Sequence, residues 1–150
     1  GAPPAFRIWR AFSRYSPWFP VGRIVKGGTR RKLSAAEIAA YDAPFPDSSY
    51  KSAVRVYPSL VPVEAHLPSV AENQRAWTVF EQWQQPFICC FSDGDPITRG
   101  GDARFRQRIP GAQGQAHTTL RGGHFIQEDD PQNFARLAIE ACGRNSGVQS

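Results

Sequence analysis

Apolar residues follow different rhythms in the two halves of this chain. In the first half they are aromatic and interrupted by proline: Phe6, Ile8, Trp9, Phe12, Tyr15, Trp18 and Phe19 fall within fourteen residues. Phe6, Trp9 and Ser13 share one helical face. Pro17 and Pro20 end that helix, because proline lacks an amide hydrogen and its ring clashes with the preceding turn. Gly27-Gly28 predicts a loop. Ser34-Ala-Ala-Glu37 is a capping box, in which serine and glutamate satisfy each other's free amides, and it opens a helix through about Tyr41. Pro44-Phe-Pro46-Asp47 breaks that helix. Another covers roughly Ser48 to Val56 and ends near Pro58. No strand alternation precedes residue 60, so this half reads as short helices and loops, the composition of a lid.

The second half alternates. Ser69-Val-Ala-Glu72 is a second capping box, opening a helix with Val70, Ala76, Trp77, Phe80 and Trp83 on one apolar stripe. Phe87-Ile-Cys-Cys-Phe91 is continuously apolar, which suits a strand buried on both faces of a parallel sheet. Ser92-Asp-Gly-Asp-Pro96 is a turn. A short helix follows with Phe105 and Ile109 one turn apart, ended by Pro110-Gly111. Residues 115–120 form a second strand and Arg121-Gly-Gly-His124 a loop. Asp130-Pro131 caps a last helix with Phe134, Leu137, Ala138 and Ala141 facing inward; Gly143 stops it, and a polar tail frays. The order predicts an α/β fold with a parallel strand pair. Two strands alone make a poor sheet, so the sheet is expected to continue in residues outside this sequence.

Composition changes this picture in three places. The chain has 150 residues, no methionine, and opens Gly-Ala-Pro-Pro, which suggests a fragment or a processed chain. Residues 1–60 hold ten basic and three acidic side chains, a balance of +7, and residues 61–150 hold eight and ten, a balance of −2. The basic positions are scattered apart from Arg30, Arg31 and Lys32, so a solvated surface is expected rather than a nucleic-acid partner. Cys89, Cys90 and Cys142 show no metal spacing and read as small buried hydrophobes in a reducing compartment, with the cytoplasm as the expected location. No apolar run approaches about 18 residues, and no membrane partner is expected.

The chemistry lies in two polar loops. In open parallel sheets, sites form beyond the carboxyl ends of the strands. Asp93 and Asp95 follow the first strand and His124 follows the second. The 29 residues from Asp95 to His124 are the length of one crossover, so both loops emerge on the same sheet edge. An acid followed by a histidine in that order suits the last two members of a nucleophile–acid–histidine triad. Asp93 reads as a turn former. His117, early in the second strand, and His66, in a proline-flanked loop, read as structural, and Trp18, Trp77 and Trp83 read as packing.

Phe91-Ser-Asp-Gly-Asp-Pro-Ile-Thr98 and Gly122-Gly-His-Phe-Ile-Gln-Glu-Asp129 resemble the acid and histidine loops of haloalkane dehalogenases, of the α/β-hydrolase superfamily. Tyr41-Asp-Ala-Pro-Phe-Pro-Asp47, followed by Ser-Ser-Tyr50, resembles a cap segment of that family. Ala5-Phe-Arg-Ile-Trp9 resembles a cap helix carrying a halide-binding tryptophan. The resemblance runs from about residue 5 to residue 141. It implies the C-terminal part of an α/β-hydrolase fold: residues 1–64 as a helical cap, and residues 65–150 as the last two parallel core strands with their helices. A missing N-terminal half of the same fold would carry an aspartate nucleophile and a second tryptophan. His124 would be the base, Asp95 its acid partner and Trp9 the halide donor. Phe6, Tyr57, Pro58, Val61 and Ile97 match positions lining the substrate pocket, with core packing as the competing role. The implied partners are a small halogenated substrate and a halide ion; neither metal nor cofactor is required. Other capped hydrolases stay open, namely an epoxide hydrolase, a fluoroacetate-type dehalogenase or a serine esterase, as does an inactive fragment. The nucleophile would decide among them, and it is not in this sequence.

Overall fold

A computed structural model describes residues 4–146. By internal contacts the chain forms two compact units, Gly1–Ile24 with Ser34–Val79, and Val25–Leu33 with Phe80–Ser150. The polar tail expected to fray lies largely outside the described residues.

The first unit is helical. Helix α1 spans Pro4–Tyr15, α3 spans Ala35–Asp42, α4 spans Ser52–Leu60, and most of α5, Pro68–Phe80, belongs here. Helix α1 stops before Pro17, as the sequence predicts. Its buried face is set by Ser13, whose hydroxyl donates to the Arg55 carbonyl at 2.8 Å and so ties α1 to α4. Arg55 returns bonds to the carbonyls of Ser13 and Ser16 and lies over the Phe19 ring. The capping box at Ser34 and Glu37 forms in both directions and fixes the start of α3. Two expectations change. Helix α4 runs through Pro58 to Leu60, past the expected stop. Helix α5 begins at Pro68, a favoured first helical position, so Ser69 lies inside the helix and not at its cap; its hydroxyl is buried without a partner among the described residues.

Helix α2, Val21–Gly28, crosses from one unit into the other, and Gly27-Gly28 forms its last turn where a loop was expected. Glycine is tolerated at a helix end, where the chain must turn away.

The second unit holds the sheet. Strands β1, Cys90–Ser92, and β2, Thr118–Leu120, are parallel, with Cys90 opposite Thr118 and Ser92 opposite Leu120. Helix α6, Asp102–Arg108, lies on the connection between them. Strand β1 is shorter than its apolar run, Phe87–Phe91, because the upstream amides bond elsewhere, and β2 is shorter than the expected 115–120. Phe87 donates to the Gly111 carbonyl at 2.9 Å, and Cys89 donates to His117 Nδ1 at 3.0 Å. Phe87 and Phe105 stack at 6.0 Å, and Ile109 is wholly buried.

A one-turn helix α7, Ile126–Asp129, follows the histidine loop, and α8 spans Pro131–Ser146, passing the expected stop at Gly143. The stripe expected to face inward on α8 is largely uncovered: Phe134 and Ala138 are exposed, and Leu137 and Ala141 are half-buried. Uncovered apolar surface and short unpaired strand edges favour association. The 150-residue chain on its own is therefore expected to sediment as oligomers or aggregates; a single monomeric boundary with cooperative thermal unfolding would contradict this.

Candidate active site

Past the strand ends, the two loops continue to bond to each other. Asp93 donates its amide to the Leu120 carbonyl and Gly94 to the Gly122 carbonyl, both at 2.9 Å. This brings the Asp95 carboxylate under the His124 ring. Asp95 is 3% exposed. Oδ1 accepts the Ile97 amide at 2.8 Å, while Oδ2 accepts the Thr98 hydroxyl and lies 3.0 Å from His124 Nδ1. Burial pushes this carboxyl upward, but bonds from Thr98, Ile97 and His124 outweigh it and hold it below the usual aspartate range. An ionised acceptor at Nδ1 selects the tautomer with its proton there. Nε2 then carries the lone pair, and it has no hydrogen-bond partner among the described residues. The His124 side chain is 37% exposed, within reach of water, and its ring meets Phe125 edge-on at 5.0 Å.

The backbone leading to His124 is saturated with hydrogen bonds. Gly122 donates to Asp93 Oδ1 at 3.1 Å, and Gly123 donates to Asp129 Oδ2 at 2.6 Å. The buried Ser92 hydroxyl donates to the Gly123 carbonyl at 2.6 Å. His124 donates its amide to the Gly28 carbonyl at 2.7 Å. Position 123 must be glycine, because a Cβ there would run into the Gly28 carbonyl. Asp93 therefore does more than form a turn: it bridges both loops and pairs with Arg30 at 3.0 Å. The sequence does not reveal Ser92, Asp129 or the Gly28–Arg31 segment as parts of this site. Their partners are distant in the chain, and no local pattern marks them.

Asp129 is likewise held below its usual range: burial pushes it up, and amide bonds from Arg31, Gly123 and Arg30, with the Arg31 charge, bring it down. A depressed folded value means that stability is present above the unfolded value and lost as pH falls. For Asp95 and Asp129 the loss begins near the unfolded value of about 3.9 and continues below it. The gap in melting temperature between a full-length enzyme carrying this chain and its Asp129→Asn variant should shrink as pH drops through about 4. A gap that stays constant down to about pH 3 would contradict the assignment.

Asp95, Ile97 and His124 lie in the second unit; Phe6, Trp9, Tyr57, Pro58 and Val61 lie in the first. Trp9 is half-buried, stacked on Phe12 at 5.8 Å and tilted against Phe19 at 6.1 Å. Tyr57, Val61 and Ile97 are exposed, while Phe6 and Pro58 are half-buried. His117 is structural as expected, since both ring nitrogens meet backbone groups, the Cys89 amide and the Ala112 carbonyl. His66 sits exposed beside Glu64. Trp77 packs in the interior, whereas Trp18 and Trp83 are exposed, contrary to expectation. Cys89 is buried and Cys90 half-buried, with burial pushing both thiols up, but Cys142 is exposed.

Parallel strands presenting an aspartate–histidine pair beyond their carboxyl ends place this chain in the α/β-hydrolase fold. Comparison with known proteins narrows this. The chain is similar to the haloalkane dehalogenase of Mycobacterium marinum, 47% identical over 137 residues, covering 91% of this chain and 46% of the relative. It is similar also to that of Psychrobacter cryohalolentis, 49% identical over 136 residues, covering 90% and 45%. The solved tetrameric haloalkane dehalogenase DpaA of Paraglaciecola agarilytica superposes with a TM-score of 0.73 at 22% identity, covering 99% of this chain and 47% of that one. DatA of Agrobacterium tumefaciens gives 0.73 at 20% identity, covering 95% and 52%. No family model matches. The sequence likeness to haloalkane dehalogenases thus extends over nine-tenths of this chain, and the fold is that of the α/β-hydrolase dehalogenases. The chain spans about half the length of the curated relatives it matches.

Proposed function

We propose that this chain supplies the acid–base half of a haloalkane dehalogenase. The Asp95–His124 pair at 3.0 Å carries the proposal. Residues 1–64 would act as the helical cap and residues 65–150 as the C-terminal part of the core. A carboxylate nucleophile outside this chain displaces halide: its oxygen bonds to carbon as the carbon–halogen bond breaks, giving an alkyl ester and a free halide ion. Trp9 is assigned to the departing anion, since an indole N–H donates and has no lone pair to repel it. Water then attacks the ester carbonyl while Nε2 of His124 takes its proton. The imidazolium so formed is stabilised by ionised Asp95. When the alkoxide leaves, it takes that proton and departs as the alcohol, and the carboxylic acid left behind releases its own proton to restore the carboxylate. The net change is haloalkane plus water to alcohol, halide and a proton.

Phe6, Tyr57, Pro58, Val61 and Ile97 are assigned to the substrate pocket; three of them expose apolar side chains that this chain does not cover. The partners are then a small haloalkane and its halide. No helix among the described residues is long and apolar enough to cross a membrane. The free thiols at Cys89, Cys90 and Cys142 fit a reducing compartment, so the cytoplasm is the proposed location.

The test compares three substrates of one chain length, a bromoalkane, an epoxide and an ester, with a full-length enzyme carrying this chain. Bromide release with a trapped alkyl ester is expected. Faster turnover of the epoxide or the ester would move the assignment to another capped hydrolase.

A further inference from the structure

The Asp129 carboxylate joins two distant stretches of backbone. Oδ1 accepts the amides of Arg30 and Arg31, both at 2.9 Å, and Oδ2 accepts Gly123 at 2.6 Å, with Arg30 also 3.1 Å away. The segment it holds reaches the histidine directly: the Gly28 carbonyl accepts the amide of His124 at 2.7 Å and that of Phe125 at 3.3 Å. Arg31 closes the joint on its far side, bonding the Glu128 carbonyl at 2.5 Å and pairing with the Glu128 carboxylate. Val25 and Leu33, near the ends of this segment, are buried.

We propose that Asp129 is a positioning residue for His124, fixing the imidazole by locking Gly123 against the Gly28–Arg31 segment. Resting on the function proposed above, this adds to the Asp95–His124 pair a second carboxylate, one that acts through the backbone. Three backbone amides converge on one carboxylate, and a neutral amide cannot replace it: the side chain introduced by Asp129→Asn would offer one oxygen where two now accept, and its NH2 would oppose an N–H. Bonds from charged acceptors to backbone amides are among the stronger hydrogen bonds. Its backbone hydrogen bonds lower the pKa of Asp129 and so favour the ionised form. The histidine is needed only after halide has left, so displacing it should slow one step and spare the other.

The experiment is burst kinetics on a full-length enzyme carrying this chain, with a bromoalkane as substrate. Burst amplitude counts active sites, burst rate reads carbon–halogen cleavage, and the later phase reads ester hydrolysis. Asp129→Asn is expected to keep the burst rate per active site and to slow hydrolysis per active site by roughly 10²-fold, the cost of a misplacement of about 1 Å. Asp129→Ser, which leaves one oxygen for Gly123 alone, is read in the same way should Asp129→Asn fold poorly. Hydrolysis per active site within about twofold of the parent overturns the proposal, as does an equal fall in both rates. His124→Ala is run alongside as the control for the underlying function. If that variant turns over without accumulating ester, the function itself is wrong; if it arrests while Asp129→Asn turns over normally, only the positioning role is wrong.

Discussion

His124→Ala in a full-length enzyme carrying this chain is expected to release about one equivalent of halide and then stop. The nucleophilic carboxylate needs no base to attack carbon, so the first bond change proceeds. Ester hydrolysis does need one, because neutral water is a poor nucleophile. In the proposed function this duty falls to Nε2, a reading supported by Nδ1 being committed to Asp95 at 3.0 Å and by a ring 37% exposed. Mass spectrometry of the arrested variant should show the protein heavier by one alkyl group. Asp95→Asn should slow the same phase by up to roughly 10⁴-fold, since an amide can hold the ring in the wrong tautomer. The Ile97 amide would still find an oxygen, while the Thr98 hydroxyl would turn to accept from the new NH2. Turnover near that of the parent in either variant would remove these roles. A larger loss in Asp93→Asn than in Asp95→Asn would transfer the acid's role to Asp93, which pairs with Arg30 and the Gly122 amide.

The second large effect concerns Trp9. Its ring stacks on Phe12 at 5.8 Å and leans on Phe19 at 6.1 Å, so phenylalanine can keep most of this aromatic packing while losing the N–H. Removing one donor from developing negative charge costs on the order of 3 kcal/mol, about 10²-fold in rate. Trp9→Phe should therefore slow carbon–halogen cleavage by about that factor and weaken halide binding, read as reduced quenching of tryptophan fluorescence by bromide. Hydrolysis of the ester, once formed, should be little changed, the reverse of the pattern expected for Asp129→Asn. Unchanged halide affinity together with unchanged cleavage would leave Trp9 a packing residue.

Local rules carry part of this structure in plain view. The capping box at Ser34 and Glu37 forms because both partners sit within one turn. The Asp95–His124 pair follows from spacing, since one crossover returns the chain to the same sheet edge. What the sequence hides depends on distance. Helix α2 runs into Gly27-Gly28, although two glycines ordinarily signal a loop. Strand β1 shortens because His117 and Gly111 capture amides that its apolar run offered to a ladder. The stripe on α8 obeys helical periodicity, yet periodicity says which residues share a face and not whether anything covers it. The bonds from Arg30 and Arg31 to Asp129 span nearly a hundred residues and use backbone amides, which every residue but proline possesses. No residue type announces such a contact.

The Val25–Leu33 segment has a consequence for anyone who would exchange parts among these enzymes. It falls between the two stretches of the helical unit in sequence, yet belongs with the sheet and the histidine loop. Residues 1–64 swapped as one continuous block would replace the Gly28 carbonyl and the Arg30 and Arg31 amides with those of the donor protein. Such hybrids should work best when residues 25–33 and 122–129 come from the same parent, whichever parent supplies the remaining helices. Exchanging the helical unit without this segment then takes three crossovers in the chain, not one.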